Sequence, residues 1–359
     1  MSRIGIGVVG AGRQGSIHAR LLASAVPEAR LVGVADVAAD AATRLAAELG
    51  TEAYDDPAGL LERPDLQAIV VAVSSHRHLD VVRQAAAAGR DVLCEKPLAM
   101  NLADTDAAIA VARTAGIRLQ VGFMRRWDAD YRRARARIAA GEVGRPTLFK
   151  SLQYDTDPVP PGFRDPAVSG GIMVDMGIHE FDLAGWLLDD PVAEVRAWGA
   201  ALVDAELGAM GDVDNAVVSL RFAGGALGAV ELTRNAAYGE DVRTEVLGPS
   251  GSVFVGLLPL SQGALAGPGR VAIDTQPGSV PRFRDALVAQ ARAFVAAIAE
   301  DRDVEVTGAD SRTALAIALA ARRSLETGRS VRIAEVTEVG ATEAGATEAG
   351  ATEAAGRAG

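Results

Sequence analysis

The feature that most constrains this chain is Gly10-Ala11-Gly12-Arg13-Gln14-Gly15, set directly after the apolar run Ile4–Val9 and opening the amphipathic stretch Gln14–Ala25. A strand that turns on glycines into a helix gathers backbone amides and the positive end of the helix dipole at one point, which stabilises a pyrophosphate. The Gly-x-Gly-x-x-Gly spacing alone is weak, and its place between strand and helix is what makes it a dinucleotide fingerprint. Asp36 then ends the apolar run Leu31–Ala35, where a carboxylate accepts hydrogen bonds from the adenosine ribose hydroxyls and repels a 2′-phosphate. Val37, Ala38 and Ala39 bring no cation to offset that repulsion, so NAD is expected rather than NADP, held by Gly10, Gly12, Arg13, Gln14, Gly15 and Asp36. The competing role for Asp36 is to cap the next helix.

The motif opens an alternation that runs to residue 122. Candidate strands Ile4–Val9, Leu31–Ala35, Ala68–Val73, Asp91–Glu95 and Arg118–Val121 alternate with helical stretches Gln14–Ala25, Ala38–Leu49, His78–Ala88 and Ala103–Ala115. This predicts an α/β fold, with a Rossmann doubly wound parallel sheet as an NAD-binding domain over 1–122. From 123 to 335 the texture changes. A helix (Ala129–Ala140) leads to Pro146–Tyr154, an irregular segment follows, and a helix spans Gly177–Leu188. Consecutive strands come next: Val192–Leu202, Asn215–Phe222, Ala226–Thr233, Asp241–Leu247 and Ser252–Val255, with turns such as Ala223-Gly224-Gly225. Such succession predicts an α+β domain with a mainly antiparallel open sheet for substrate and oligomer contacts, closed by helices Arg284–Ala299 and Asp310–Thr327. Residues 336–359 repeat Gly-Ala-Thr-Glu-Ala from Gly340 to Ala354, an acidic, ring-free tract expected to be a disordered tail.

Composition narrows the partners. A formal charge of −11 disfavours the phosphate neutralisation that nucleic acids demand. The single cysteine, Cys94, excludes an internal disulfide and reads as a small buried strand residue, and no Cys/His cluster has metal-ligand spacing. The N-terminus lacks a signal-peptide pattern and no apolar run is long enough to span a bilayer, so a cytoplasmic protein without membrane contact is expected.

Two further segments carry chemistry. Leu93-Cys94-Glu95-Lys96-Pro97 places a lysine at the carboxyl end of a parallel strand, the edge where doubly wound sheets bind ligands. Most lysines are merely solvated, but Pro97 ends the ladder here. In Gly171-Ile172-Met173-Val174-Asp175-Met176-Gly177-Ile178-His179-Glu180-Phe181-Asp182, Asp175 and His179 are four apart. A helix beginning near Asp175 puts them on one face, where a carboxylate orients an imidazole for proton transfer. A helix cap beside a core histidine is an equal reading of that pair taken alone. His18, on the first helix, reads as a packing or capping residue.

Together these residues resemble the glucose–fructose oxidoreductase / inositol dehydrogenase (Gfo/Idh/MocA) family of nicotinamide enzymes over nearly the whole chain before the tail. Leu119 through Asp128 and Cys94 through Leu98 look most like its myo-inositol 2-dehydrogenase branch. The resemblance implies oxidation of a secondary hydroxyl of a cyclic polyol, above all inositol, to a ketone, with Lys96, Asp175 and His179 at the reacting carbon. It also implies that Ser74, Ser75, His78, Glu95 and Lys96 line the nicotinamide side, and that Arg126, Gln153, Asp155 and Tyr238 line the polyol pocket of a homodimer or homotetramer. Gln153 and Asp155 stand where inositol dehydrogenases tend to carry a histidine and an asparagine. That departure leaves open another inositol isomer, an aldose or an anhydrosugar, since hydrogen-bonding sites discriminate strongly between hydroxyl patterns. A non-catalytic NAD-sensing regulator is the alternative of another class.

Overall fold

The computed structural model describes residues 3–156, 159–256 and 259–338, with side chains omitted for 259–263. Of the expected disordered tail, 336–359, the part from 339 on lies outside the described residues, whereas 336–338 are helical and Val336 packs against the core.

Six parallel strands, β1 (Ile4–Val9), β2 (Ala29–Ala35), β3 (Glu52–Tyr54), β4 (Ala68–Val71), β5 (Asp91–Cys94) and β6 (Leu119–Val121), form one sheet in the order β3-β2-β1-β4-β5-β6. The strand order reverses beside β1, and this switch point creates the crevice at the carboxyl edge where a dinucleotide lies in such sheets. Helices cover both faces, which is why the strands read as unbroken apolar runs. Ile6, Val8, Val70 and Leu93 pack on one side, and Ile69, Val71, Val92 and Cys94 on the other. Edge strand β3 is short, with Glu52 and Ala53 exposed, and so left no apolar signal in the sequence.

The second sheet holds β7 (Leu148–Tyr154), β8 (Val192–Ala200), β9 (Asn215–Phe222), β10 (Leu227–Thr233), β11 (Asp241–Gly248) and β12 (Gly251–Val255). A hairpin of β13 (Pro259–Gly267) and β14 (Arg270–Thr275) stands apart, and β15 (Val331–Arg332) completes the sheet in the order β12-β11-β7-β10-β9-β8-β15. Only the β7–β10 pairing is parallel. In β9, Ala216, Val218, Leu220 and Phe222 are buried while Val217, Ser219 and Arg221 face outward. The buried face is covered by helices Gly177–Leu188 and Gly308–Thr327. Ala226 belongs to the turn before β10, where its carbonyl accepts the Phe222 amide (2.9 Å). Among the described residues, no helix is long and apolar enough to cross a membrane.

After β14 the chain returns to the first sheet. Helix Ser279–Ala299 starts five residues earlier than the pattern indicated and buries Ala291, Phe294 and Val295 against Ile6 and Val8. The Val121 amide then donates to the Val306 carbonyl (3.0 Å), extending the sheet edge. The two sheets are thus tied by a helix and a backbone bond as well as by the linker after β6.

Phe294 is 1% exposed. Phe294→Ala is expected to lower stability by about 3–5 kcal/mol, read as a shifted urea midpoint at unchanged slope. A loss below about 1 kcal/mol would remove this helix from the core of the first sheet.

Candidate active site

The glycine turn has the geometry its spacing implied. Gly10 adopts φ +108°, and a Cβ there would lie 2.4 Å from the Ala72 carbonyl oxygen. A Cβ on Gly15 would lie 1.8 Å from the Gly10 carbonyl oxygen, so only glycine lets the helix sit this close to the strand. A Cβ on Gly12 would meet nothing within 4 Å, so this residue borders open space at the head of helix Arg13–Ser24. That helix has no side-chain cap and no acidic residue in its first turn, where Arg13 and Gln14 are exposed. Its amides and dipole are available to an anion. Asp36 accepts the Ala11 amide (2.6 Å) and the Ala38 amide (2.8 Å), which holds its carboxylate beside the turn; the N-cap of the next helix is Ala38. Val37 is 87% exposed, and the segment after Asp36 carries no cation. The residues present therefore fit NAD.

Lys96 follows β5 and reaches across to the second sheet. Its Nζ donates to the Asp175 carbonyl (2.6 Å) and lies 3.7 Å from the Asp175 carboxylate. The expected single helix through Asp175 and His179 is broken at Met176 (φ −99°, ψ −57°). Asp175 ends helix Gly171–Asp175, and His179 lies in the first turn of Gly177–Leu188. As a result the Asp175 carboxylate engages Lys96 and Arg234 (Nη1, 3.1 Å), and no hydrogen bond among the described residues joins it to the imidazole. His179 is buried, packs edge-on against Phe123, and has no hydrogen-bond partner at Nδ1 among the described residues. Burial, then the charges of Lys96 and Arg125, hold its pKa well below the ordinary histidine value, so the imidazole is neutral.

Gln153 and Asp155, at the end of β7, join this cluster. Gln153 accepts from Arg125 (2.8 Å) and donates to Asp155 (2.9 Å). Burial raises the Asp155 pKa, with the neighbouring Asp175 charge adding to it. The Gln153 hydrogen bond and the charges of Arg125 and Arg234 offset only part of that rise.

Several expected contacts are corrected. Arg126 does not face the cluster: its guanidinium binds Asp182 (2.8 Å) and Asp310 (2.9 Å), lies over Trp186, and lines a different cavity of about 340 Å³. Consecutive residues of the tight turn Met124–Trp127 diverge, so Arg125 is the one that points inward, bonded to Glu180 and Gln153. Tyr238 is half exposed, with its hydroxyl donating to the buried Asp241 (3.0 Å). His78 is buried with its ring between the Pro97 (2.9 Å) and Val73 (3.1 Å) carbonyls, where it braces the Lys96-Pro97 segment instead of facing a cofactor. Glu95 is likewise turned to protein, with its carboxylate on His18 (2.6 Å) and on the Lys96 amide (3.2 Å). Burial pushes the Glu95 carboxyl up, but His18 and the Lys96 charge outweigh it, and its pKa is lowered. His18 is thus a buried packing residue. Ser74 and Ser75 follow β4 at the crevice edge, Ser74 exposed and Ser75 half-buried.

The sequence pattern gave no sign of Arg234, which lies just past β10 with nothing in its neighbourhood to mark it. It is buried, and its Nε and Nη2 have no hydrogen-bond partner among the described residues. Each such donor costs about 1–3 kcal/mol, so packing alone does not account for the choice of arginine. For Lys96 the composition itself holds a further signal. The chain has 36 basic residues, but its only lysines are Lys96 and Lys150. Lys150 sits half-exposed on Glu245 (3.1 Å), whereas Lys96 is half-buried at the junction of the sheets. A chain that uses arginine almost everywhere keeps a lysine where a compact ammonium is wanted.

Comparison with known proteins agrees with this geometry. Residues 4–123 match the oxidoreductase family with an NAD-binding Rossmann fold, and residues 131–254 match the GFO/IDH/MocA C-terminal domain. The chain is similar to myo-inositol 2-dehydrogenase from Thermotoga maritima, at 38% identity over 341 residues, covering 92% of this chain and 99% of the relative. It is also similar to scyllo-inositol 2-dehydrogenase (NAD(+)) from Bacillus subtilis, at 35% identity, covering 91% and 95%. Among solved structures, scyllo-inositol dehydrogenase from Lactobacillus casei with bound NAD(H) and scyllo-inositol superposes with a TM-score of 0.87 at 28% identity, covering 93% and 100%. A fingerprint that fits NAD, a lysine from one sheet meeting an aspartate from the other, and these matches lead to one conclusion: the chain belongs to the GFO/IDH/MocA oxidoreductases and is an NAD-binding enzyme of the inositol dehydrogenase type, acting on CH–OH donors.

Proposed function

We propose that this enzyme oxidises one secondary hydroxyl of inositol to a ketone, with Lys96, Asp175 and His179 at the reacting carbon. The observation that carries the reading is the approach of the Lys96 ammonium to Asp175 beside a neutral, buried His179, at the carboxyl edge of a dinucleotide-binding sheet. Bound NAD supplies the hydride acceptor. His179 Nδ1 is buried, so Nε2 is the nitrogen left to take the hydroxyl proton. The Lys96 ammonium stabilises the alkoxide that develops as the proton leaves. Asp175 serves by holding Lys96, a different part from the steering of the imidazole that the sequence spacing had indicated. Gln153 and Asp155 read further ring hydroxyls, Asp155 with an oxygen and Gln153 as its brace.

The outward faces of β8, β9 and β10 expose Trp198, Val217 and Leu227. They support a homo-oligomer joined through the open sheet, and we place the enzyme in the cytoplasm. Because Gln153 and Asp155 are not a histidine and an asparagine, a second reading keeps the chemistry and changes the inositol isomer.

NADH formation measured on myo-inositol, scyllo-inositol, glucose and levoglucosan is expected to be fastest with an inositol, with the ratio of the two isomers fixing the assignment. Higher kcat/KM on glucose or levoglucosan would overturn the substrate class. With the preferred substrate, Lys96→Met and His179→Ala are each expected to lower kcat by about 10²–10⁴-fold while changing NAD affinity far less. Since the His179 pKa is lowered, its base form persists as pH falls, so the wild-type rate should lose activity to His179 protonation only below about pH 6.5. Near-normal turnover in either variant would remove that residue from the reaction.

A further inference from the structure

We infer that Arg234, anchored from behind by Asp212, is a positioning residue that shares the charge of Asp175, so that the Lys96 ammonium remains available to the substrate oxygen. The inference rests on the reaction proposed above and concerns residues that neither the motifs nor the resemblance singled out.

The geometry begins at Gly170-Gly171. Both glycines have positive φ, at +80° and +69°, and a Cβ on Gly171 would lie 2.7 Å from an Asp212 carboxylate oxygen. Glycine at 171 therefore lets Asp212 approach helix Gly171–Asp175, where the carboxylate accepts the Ile172 amide (3.0 Å). The other Asp212 oxygen lies 3.7 Å from Arg234 Nη2, and Arg234 Nη1 donates to the Asp175 carboxylate (3.1 Å) at the far end of the same short helix. Asp212 and Arg234 thus grip both ends of the five-residue helix that carries Asp175. The side chains of Arg234 and Asp212 are each 6% exposed, so water screens this chain of charges little.

The electrostatic consequence follows from the count of charges. Asp175 faces Lys96 and Arg234, and Asp155 stands close enough for the two carboxylates to repel. With Lys96 as its only cation, the Asp175 carboxylate would draw the ammonium onto itself. A second, permanently charged cation on the opposite oxygen divides that attraction. The groups facing Asp155 are Gln153 on its own strand, Asp175 from the short helix, Arg125 from the turn Met124–Trp127, and Arg234 past β10. Loss of Arg234 removes one of the two positive charges among them and pushes the Asp155 carboxyl further up.

The test uses the full-length enzyme with NAD. Lys96 and Lys150 are the only lysines, so protein carrying 13Cε-lysine gives two assignable signals, and the acid-range inflection of the Lys96 signal reports the charge of the Asp175–Asp155 carboxylate pair without any turnover. Arg234→Met is expected to lower kcat about a hundredfold, leave polyol KM and NAD binding within about threefold, and raise that inflection by about one pH unit. Arg234→Lys keeps the charge and is expected to return the inflection close to the wild-type value and to recover about tenfold in kcat. An unmoved inflection in a folded Arg234→Met, or an Arg234→Lys that behaves like it, would overturn the proposal. Should Arg234→Met fail to fold, Asp212→Asn decides. It keeps an oxygen for the Ile172 amide but removes the anchoring charge, and is expected to lower kcat about tenfold with an inflection below wild type. Unchanged kcat and inflection in that variant would overturn the proposal equally. Wild-type inactivity toward every polyol would refute the proposed reaction, while the Lys96 inflection would still show whether Arg234 acts on the charge of this cluster.

Discussion

The meeting of the Lys96 ammonium with Asp175 is the interaction on which the rest of the site depends. Lys96 follows a strand of the first sheet, and Asp175 ends a short helix packed on the second, so neither half of the chain contains the site alone. The backbone carbonyl of Asp175 fixes the lysine at 2.6 Å, and its carboxylate supplies the field. The return of helix Ser279–Ala299 to the first sheet and the Val121–Val306 bond keep the two sheets in register for that contact. The stability of the fold and the geometry of the chemistry are coupled through them.

Around this contact the molecule balances buried charge by pairing. Arg125 with Glu180, Arg234 with Asp175 and Asp212, and His18 with Glu95 each place a cation or hydrogen-bond donor against a carboxylate. Burial keeps His179 neutral, and the two nearby cations, Lys96 and Arg125, act in the same direction. In the reaction proposed above, the ammonium of Lys96 and this neutral base act on one substrate carbon.

Much of this was legible in the chain. The glycine turn, the end of β2 at Asp36 and the lysine at the end of β5 follow from local rules, because strand, turn and helix are set by neighbouring residues. What was not legible depends on tertiary direction. The helix break at Met176 separates two residues whose spacing reads as one turn, and so changes the partner of Asp175 from an imidazole to a guanidinium. Arg125 and Arg126 are adjacent, and only the path of one tight turn decides which of them enters the site. Strands β3 and β15 are too short to carry a pattern of their own, and Arg234 sits in a segment without a motif.

The most direct measurement is a crystal structure of the enzyme with NADH and its preferred inositol. The account predicts one ring oxygen within about 3.2 Å of both Lys96 Nζ and His179 Nε2, with its carbon facing the nicotinamide. A ring seated elsewhere, such as in the cavity beside Arg126 and Trp186, or reaching only one of the two nitrogens, would contradict it.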